Sequence, residues 1–162
     1  IFCLDSGALD YQSFCLTTSL RGVINAIYTI DILNEGVHSG VASGIVPSSF
    51  RIMRQMLDRI ENGPTGEMIP ELQSDIPPER YQEIYEVVQA LGTDAIPYFP
   101  FVEGATTTSQ NPLTVLINNW WKAQLSTIGA ADLPPASTAG SVLRPRTTLA
   151  LSIRIPPNKS NE

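Results

Sequence analysis

Thr147-Thr-Leu-Ala-Leu-Ser-Ile-Arg-Ile155 alternates without a break. Leu149, Leu151, Ile153 and Ile155 fall on one side of it, and Thr148, Ala150, Ser152 and Arg154 on the other. Period two with one apolar side is the pattern of a half-buried strand. A second run of this kind lies within residues 15–33. There Ile24, Ala26, Tyr28, Ile30 and Ile32 alternate with positions that include Asn25, Thr29 and Asp31. Residues 124–128 read as a further strand. Ile1 to Leu4 read as a short buried one, closing in the turn Asp5-Ser6-Gly7.

Between these strands the period changes to that of helices. Phe50, Met53, Met56, Leu57 and Ile60 form one apolar stripe, with Arg51, Arg54, Asp58 and Arg59 opposite. Ser48 or Ser49 can cap this helix, and Asn62-Gly63-Pro64 stops it. Pro78 opens a second helix ending at Leu91 before Gly92, with the stripe Tyr81, Ile84, Val88 and Leu91. Asn111-Pro112 opens a short third helix through Trp121. Residues 36–44 carry three glycines and read as a turn-rich loop, and residues 62–78 as a proline-rich connection. Strands, then helices, then strands predict an α+β two-layer sandwich, an antiparallel sheet with helices packed on one face.

Composition excludes several classes of function. A hydrophobic share of 43% against 16% charged residues fits a globular chain and not a disordered one. The net charge is -6 and no basic run occurs, so no nucleic-acid partner is expected. No apolar run approaches the ~20 residues that span a bilayer, so no membrane partner is expected either. Cys3 and Cys15 do not make a disulfide framework. They read as small buried residues of a reduced protein, which favours a soluble, cytoplasmic setting. Ile1 is not an initiator, and the chain reads as part of a larger reading frame.

Few residues can carry chemistry. His38 is the one histidine and lies in the glycine loop, where binding residues are commoner than in cores. One histidine and two distant cysteines supply no zinc spacing, so no cofactor is expected in this chain by itself. Ser39 next to His38 makes a serine hydrolase formally possible, but no Gly-x-Ser-x-Gly elbow is present. Arg154 puts a guanidinium on the polar side of a strand, and its planar fork suits a carboxylate. Asp5, at a strand end, is placed as a turn residue or as a ligand.

Several segments together resemble the zinc dipeptidase family of carnosinases, which includes aminoacylase, carboxypeptidase G and acetylornithine deacetylase. They are Cys-Leu-Asp-Ser-Gly at 3–7, Thr-Thr-Ser-Leu-Arg-Gly at 17–22 and Glu-Gly-Val-His-Ser-Gly at 35–40. Pro-Ser-Ser-Phe-Arg-Ile at 47–52 and Leu-Asp-Arg-Ile-Glu at 57–61 follow. Ser-Val-Leu-Arg-Pro at 141–145 and Leu-Ser-Ile-Arg-Ile-Pro-Pro at 151–157 complete the set, in family order.

The resemblance implies that residues 15–162 are an incomplete dimerisation (lid) domain, ferredoxin-like and truncated at its C-terminal end. Residues 1–14 would be the tail of a catalytic domain that binds two zinc ions in the intact enzyme. By the same resemblance Asp5 matches a zinc ligand. His38 matches a lid histidine that reaches the partner subunit's active site and steadies the tetrahedral intermediate. Arg154 matches the arginine that holds the substrate carboxylate. Ser141 falls where relatives carry Thr or Asn against the substrate. The implied partners are a second copy, forming a homodimer, and a peptide or dipeptide substrate. The family's His-x-Asp motif and Glu-Glu pair are absent from the chain, so it is expected to be inactive alone. The alternative is a stand-alone α+β binding module with no hydrolytic role.

Overall fold

The computed structural model describes residue 12 and residues 14–159. The expected strand at Ile1 to Leu4, Cys3 and Asp5 lie outside the described residues. The described residues fall into two compact units, one made of Val23–Leu72 with Gln124–Arg154, the other centred on Gln73–Ala123.

The first unit is built on the alternating strands. β1 (Gly22–Asp31), β5 (Gln124–Ala131) and β7 (Arg146–Ile155) form one sheet in the order β1-β7-β5. β5 and β7 are antiparallel, from Gln124 opposite Arg154 to Ala131 opposite Thr148. β1 also runs antiparallel to β7. The Thr29 and Thr148 hydroxyls are 3.0 Å apart, and Asp31 pairs with Arg146 at 2.9 Å.

One face of this sheet is covered by α2 (Ser49–Leu57). Met53 from the helix packs against Leu149 and Leu151 of β7, with Tyr28, Ile30, Leu57 and Leu125 around them. Burying each of Met53, Leu149 and Leu151 is worth roughly 1.5–3 kcal/mol, and the partly buried neighbours contribute less. Ser48 caps the helix, its hydroxyl accepting from the Arg51 amide. Ser49 and Thr147, both buried, join helix to strand through a 2.9 Å hydroxyl pair. The period-two reading of β7 is thus seen directly in its buried face, and the expected two-layer α+β arrangement is present.

The strand expected within 15–33 is confined to Gly22–Asp31, and its apolar side is covered only in part. Tyr28 and Ile30 meet the core, but Ile24 is 46% exposed. The reason is length. Nine residues of α2 rise ~14 Å, less than half of what a ten-residue strand spans. Phe50 also departs from its expected stripe, at 47% exposed. The strand expected at 124–128 continues to Ala131 across a bulge at Ile128. Residues 62–78 include all but the first residue of a small hairpin, β3 (Glu61–Asn62) with β4 (Glu67–Met68). Cys15, expected to be buried, is exposed. It lies ahead of β1, where no apolar neighbour covers it in the core clusters.

The second unit is helical. α3 (Pro78–Leu91) begins with proline in its first turn and ends at Gly92, whose φ of 58° suits a residue without Cβ. α4 (Pro112–Trp120) is capped by Asn111, whose Oδ1 accepts from the Leu113 amide at 2.9 Å. The two helices and the turn Gly92–Ala95 share a core of Ile84, Ala95 and Leu116. Arg21 donates to the carbonyls of Asn118 and Lys122 at 3.2 and 3.0 Å. A cation there complements the negative end of α4.

Candidate functional site

The glycine-rich stretch at 36–44 is more ordered than its composition suggests. It holds β2 (Val37–His38) and a single helical turn, α1 (Ser39–Ala42). β2 pairs antiparallel with β6 (Val142–Leu143), setting Val37 opposite Leu143 and His38 opposite Val142. The pairing is continued by the Ser39 amide, which donates to the Ser141 carbonyl at 2.9 Å. Residues about 100 apart in sequence are therefore neighbours: His38 and Ser141, two of the expected site residues, stand together, and both are exposed.

Gly36 makes this pairing possible. A Cβ at that position would lie 2.7 Å from Cγ1 of Val142, a distance no side chain tolerates. The glycine is explained by close approach and not by flexibility. Arg144, from the same Ser-Val-Leu-Arg-Pro segment as Ser141, is half-buried, and its Nε has no hydrogen-bond partner. The alternation that places Arg154 does not extend to Arg144, so the sequence pattern gives it no signal.

Arg154 is exposed on the face of β7 that α2 does not cover, as the alternation predicts. Its cross-strand neighbour is Gln124, followed along β5 by Ser126 opposite Ser152. On the β5 side its cross-strand neighbours are thus small or polar. Arg154 is not brought to His38. Pro145 accepts from the Ile32 and Leu33 amides, so the β2–β6 pair prolongs the β1–β7 ladder past Arg146. His38 and Ser141 sit beyond that end of β7, and Arg154 is next to last at the other. Ten residues of strand at ~3.3 Å each extend over roughly 30 Å.

Among the described residues, the one ionisable group with a displaced titration is elsewhere. Burial, and then the neighbouring Asp58 carboxylate, push Glu61 above the ordinary carboxyl range. Among the described residues no three His, Cys, Asp or Glu side chains converge as a metal site would require. The described residues do not fit a zinc centre, and Asp5 lies outside them. No described helix is long and apolar enough to cross a membrane.

In sequence and in fold the chain is similar to a segment of known dipeptidases and of an M20 family metallo-carboxypeptidase. It is 27% identical over 157 residues to the probable di- and tripeptidase DUG2 of Saccharomyces cerevisiae, covering 95% of this chain and 16% of that protein.

Solved structures share the fold. The dipeptidase Dug1p of S. cerevisiae matches over 88% of this chain and 30% of its own, with TM-score 0.61 and 19% identity. Human carnosine dipeptidase 1 matches over the same shares, with TM-score 0.63 and 15% identity. An M20 family metallo-carboxypeptidase from Sulfolobus solfataricus matches over 87% of this chain and 36% of its own, with TM-score 0.61 and 13% identity. The chain therefore spans about a sixth to a third of the lengths of these relatives. No family model matches it.

Proposed function

We propose that this chain is the dimerisation (lid) domain of a zinc metallodipeptidase, supplying substrate and transition-state contacts to an active site completed by a second copy. In this reading His38 donates a hydrogen bond to the oxyanion of the tetrahedral intermediate, with Ser141 beside it against the substrate. Arg154 holds the substrate's free carboxylate. Aimed donors of this kind stabilise charge that develops only in the transition state. The zinc ions belong to the intact enzyme. Asp5 is the one residue of this chain assigned to them, and the roles of His38, Ser141 and Arg154 do not pass through the metal.

The observation that supports the reading is the separation of its residues. A dipeptide extends over roughly 7 Å, whereas His38 and Arg154 lie at opposite ends of a strand roughly 30 Å long. One copy cannot put both on one substrate. Two copies related by a two-fold axis can, because each offers the same surfaces to the other. His38 and Ser141 then serve the partner's site, and Arg154 its own.

The test is subunit mixing in the full-length enzyme. His38→Ala should lower kcat by about 100-fold or more with metal content unchanged. Arg154→Ala should raise KM for substrates with a free carboxylate and spare a carboxylate-free amide. Refolding the two variants together should restore roughly a quarter of wild-type activity, since half the dimers are mixed and each holds one intact site. No recovery on mixing would overturn the shared site. Unchanged turnover in His38→Ala would remove its catalytic part.

A further inference from the structure

His38 precedes the single turn α1 with extended backbone angles, φ -60° and ψ 123°. Its ring folds back over that turn, and Nδ1 accepts a hydrogen bond from the Gly40 amide at 3.1 Å. The direction of this bond is not ambiguous. A backbone N–H can only donate, so Nδ1 must present its lone pair. We propose that Gly40 is a positioning residue that holds His38 as the Nε2–H tautomer, so that the ring offers an outward donor and no outward lone pair.

The chemistry follows from which nitrogen is bare. A histidine acting as general base, as in a serine hydrolase, needs its lone pair on the outward nitrogen and its proton on the inward one. A histidine binding a metal needs a lone pair at the metal. The Gly40 amide satisfies the inward lone pair and leaves Nε2 protonated, which disfavours both roles at this exposed ring. What remains is recognition of an acceptor: a carbonyl, carboxylate or oxyanion. The inference rests on the proposed reading of His38 for its consequence in catalysis, but the tautomer itself does not.

A Cβ at position 40 would lie 3.0 Å from Cε1 and 3.1 Å from Nδ1 of His38, tighter than nine in ten real contacts, so the ring would have to give way by a few tenths of an ångström. The backbone of Gly40 is helical and would accept alanine, which favours helix more than glycine does. Gly40→Ala therefore separates positioning from folding, moving the ring while leaving the turn intact.

His38 is the only histidine of the 162-residue chain, so histidine-selective 15N labelling gives a single imidazole spectrum. At alkaline pH the wild-type chain should show Nδ1 unprotonated and Nε2 protonated, with the Gly40 amide slow to exchange. Gly40→Ala, with its melting curve unchanged, should show a mixture of the two tautomers. In the full-length enzyme the same variant should lower kcat about tenfold with little change in KM. His38→Asn keeps a capping acceptor but not the distal donor, and should lower kcat as His38→Ala does.

A wild-type ring protonated on Nδ1, or tautomers unmoved by Gly40→Ala, would overturn the proposal even if His38→Ala is inactive. Conversely, a tautomer held by Gly40 in an enzyme indifferent to His38→Ala would leave the ring's geometry standing and sink the catalytic reading.

Discussion

Met53 in the sheet-bearing unit and Leu116 in the helical unit are each 1% exposed, but the cores around them differ in kind. Around Met53 the neighbours come from β1, α2, β5 and β7, segments far apart in sequence. Around Leu116 they come from α3, α4 and the turn between them. The first core is made of long-range pairings and the second of local ones. His38, Ser141 and Arg154 all belong to the first unit, and no expected site residue among the described ones belongs to the second. Sites that need groups from distant parts of a chain at fixed separations are best held by a sheet, where register sets spacing. A helical pair is a simpler way to bury surface but offers no comparable ruler.

The sharpest way to break this comparison is to empty each core separately. Leu151→Ala should destabilise the sheet-bearing unit by ~2–5 kcal/mol, and Leu116→Ala the helical unit by a similar amount. Amide exchange should distinguish them. Leu116→Ala should lower protection in α3 and α4 while β7 stays protected, and Leu151→Ala should expose β7. A uniform loss of protection in both variants would mean that the two units unfold as one.

A smaller effect probes how helix and strand are joined within the sheet-bearing unit. Ser49→Ala leaves the buried Thr147 hydroxyl without its 2.9 Å partner and should cost ~1–3 kcal/mol in chemical denaturation. Replacing both, as Ser49→Ala with Thr147→Val, should cost less than the sum of the single changes.

The smallest effect concerns Glu61. Burial and Asp58 raise its folded-state pKa, so the folded chain binds this proton more tightly than the unfolded chain. Its contribution to stability is present at acid pH and is lost as pH rises through the raised value. Glu61→Gln should therefore gain stability at neutral pH, by no more than about 0.5 kcal/mol for this half-exposed group. The difference should vanish in melts below the ordinary carboxyl range.

Much of the sheet-bearing unit was legible in the sequence, because β7 keeps strict alternation over its full length and Leu149 and Leu151 are buried as that pattern requires. The helix starts were legible for a similar reason: Ser48, Pro78 and Asn111-Pro112 act locally, through caps and first-turn geometry. What escaped the sequence depends on partners far along the chain. Residues 36–44 look like a loose loop until Val142 and Leu143 arrive to pair with them. Ile24 and Phe50 have the right period, but period says nothing about how far a nine-residue helix reaches. Arg21 gave no signal, because its value lies in two carbonyls at the end of α4, about a hundred residues away. Of the candidate site, the exposure of His38 and Arg154 could be expected, from the loop and from the strand alternation, whereas Ser141 came only from the resemblance. That the first two are neighbours and the third is remote could not.

The bulge in β5 has a consequence for insertion and deletion. Thr127 faces Leu151 and Gly129 faces Ala150, so Ile128 is the one surplus residue in an otherwise paired edge. Removing Ile128 would rejoin the ladder with every other side chain still on its own side, whereas a loss farther along the strand would turn over the side chains between it and the bulge. A one-residue deletion in this strand is thus best absorbed at Ile128.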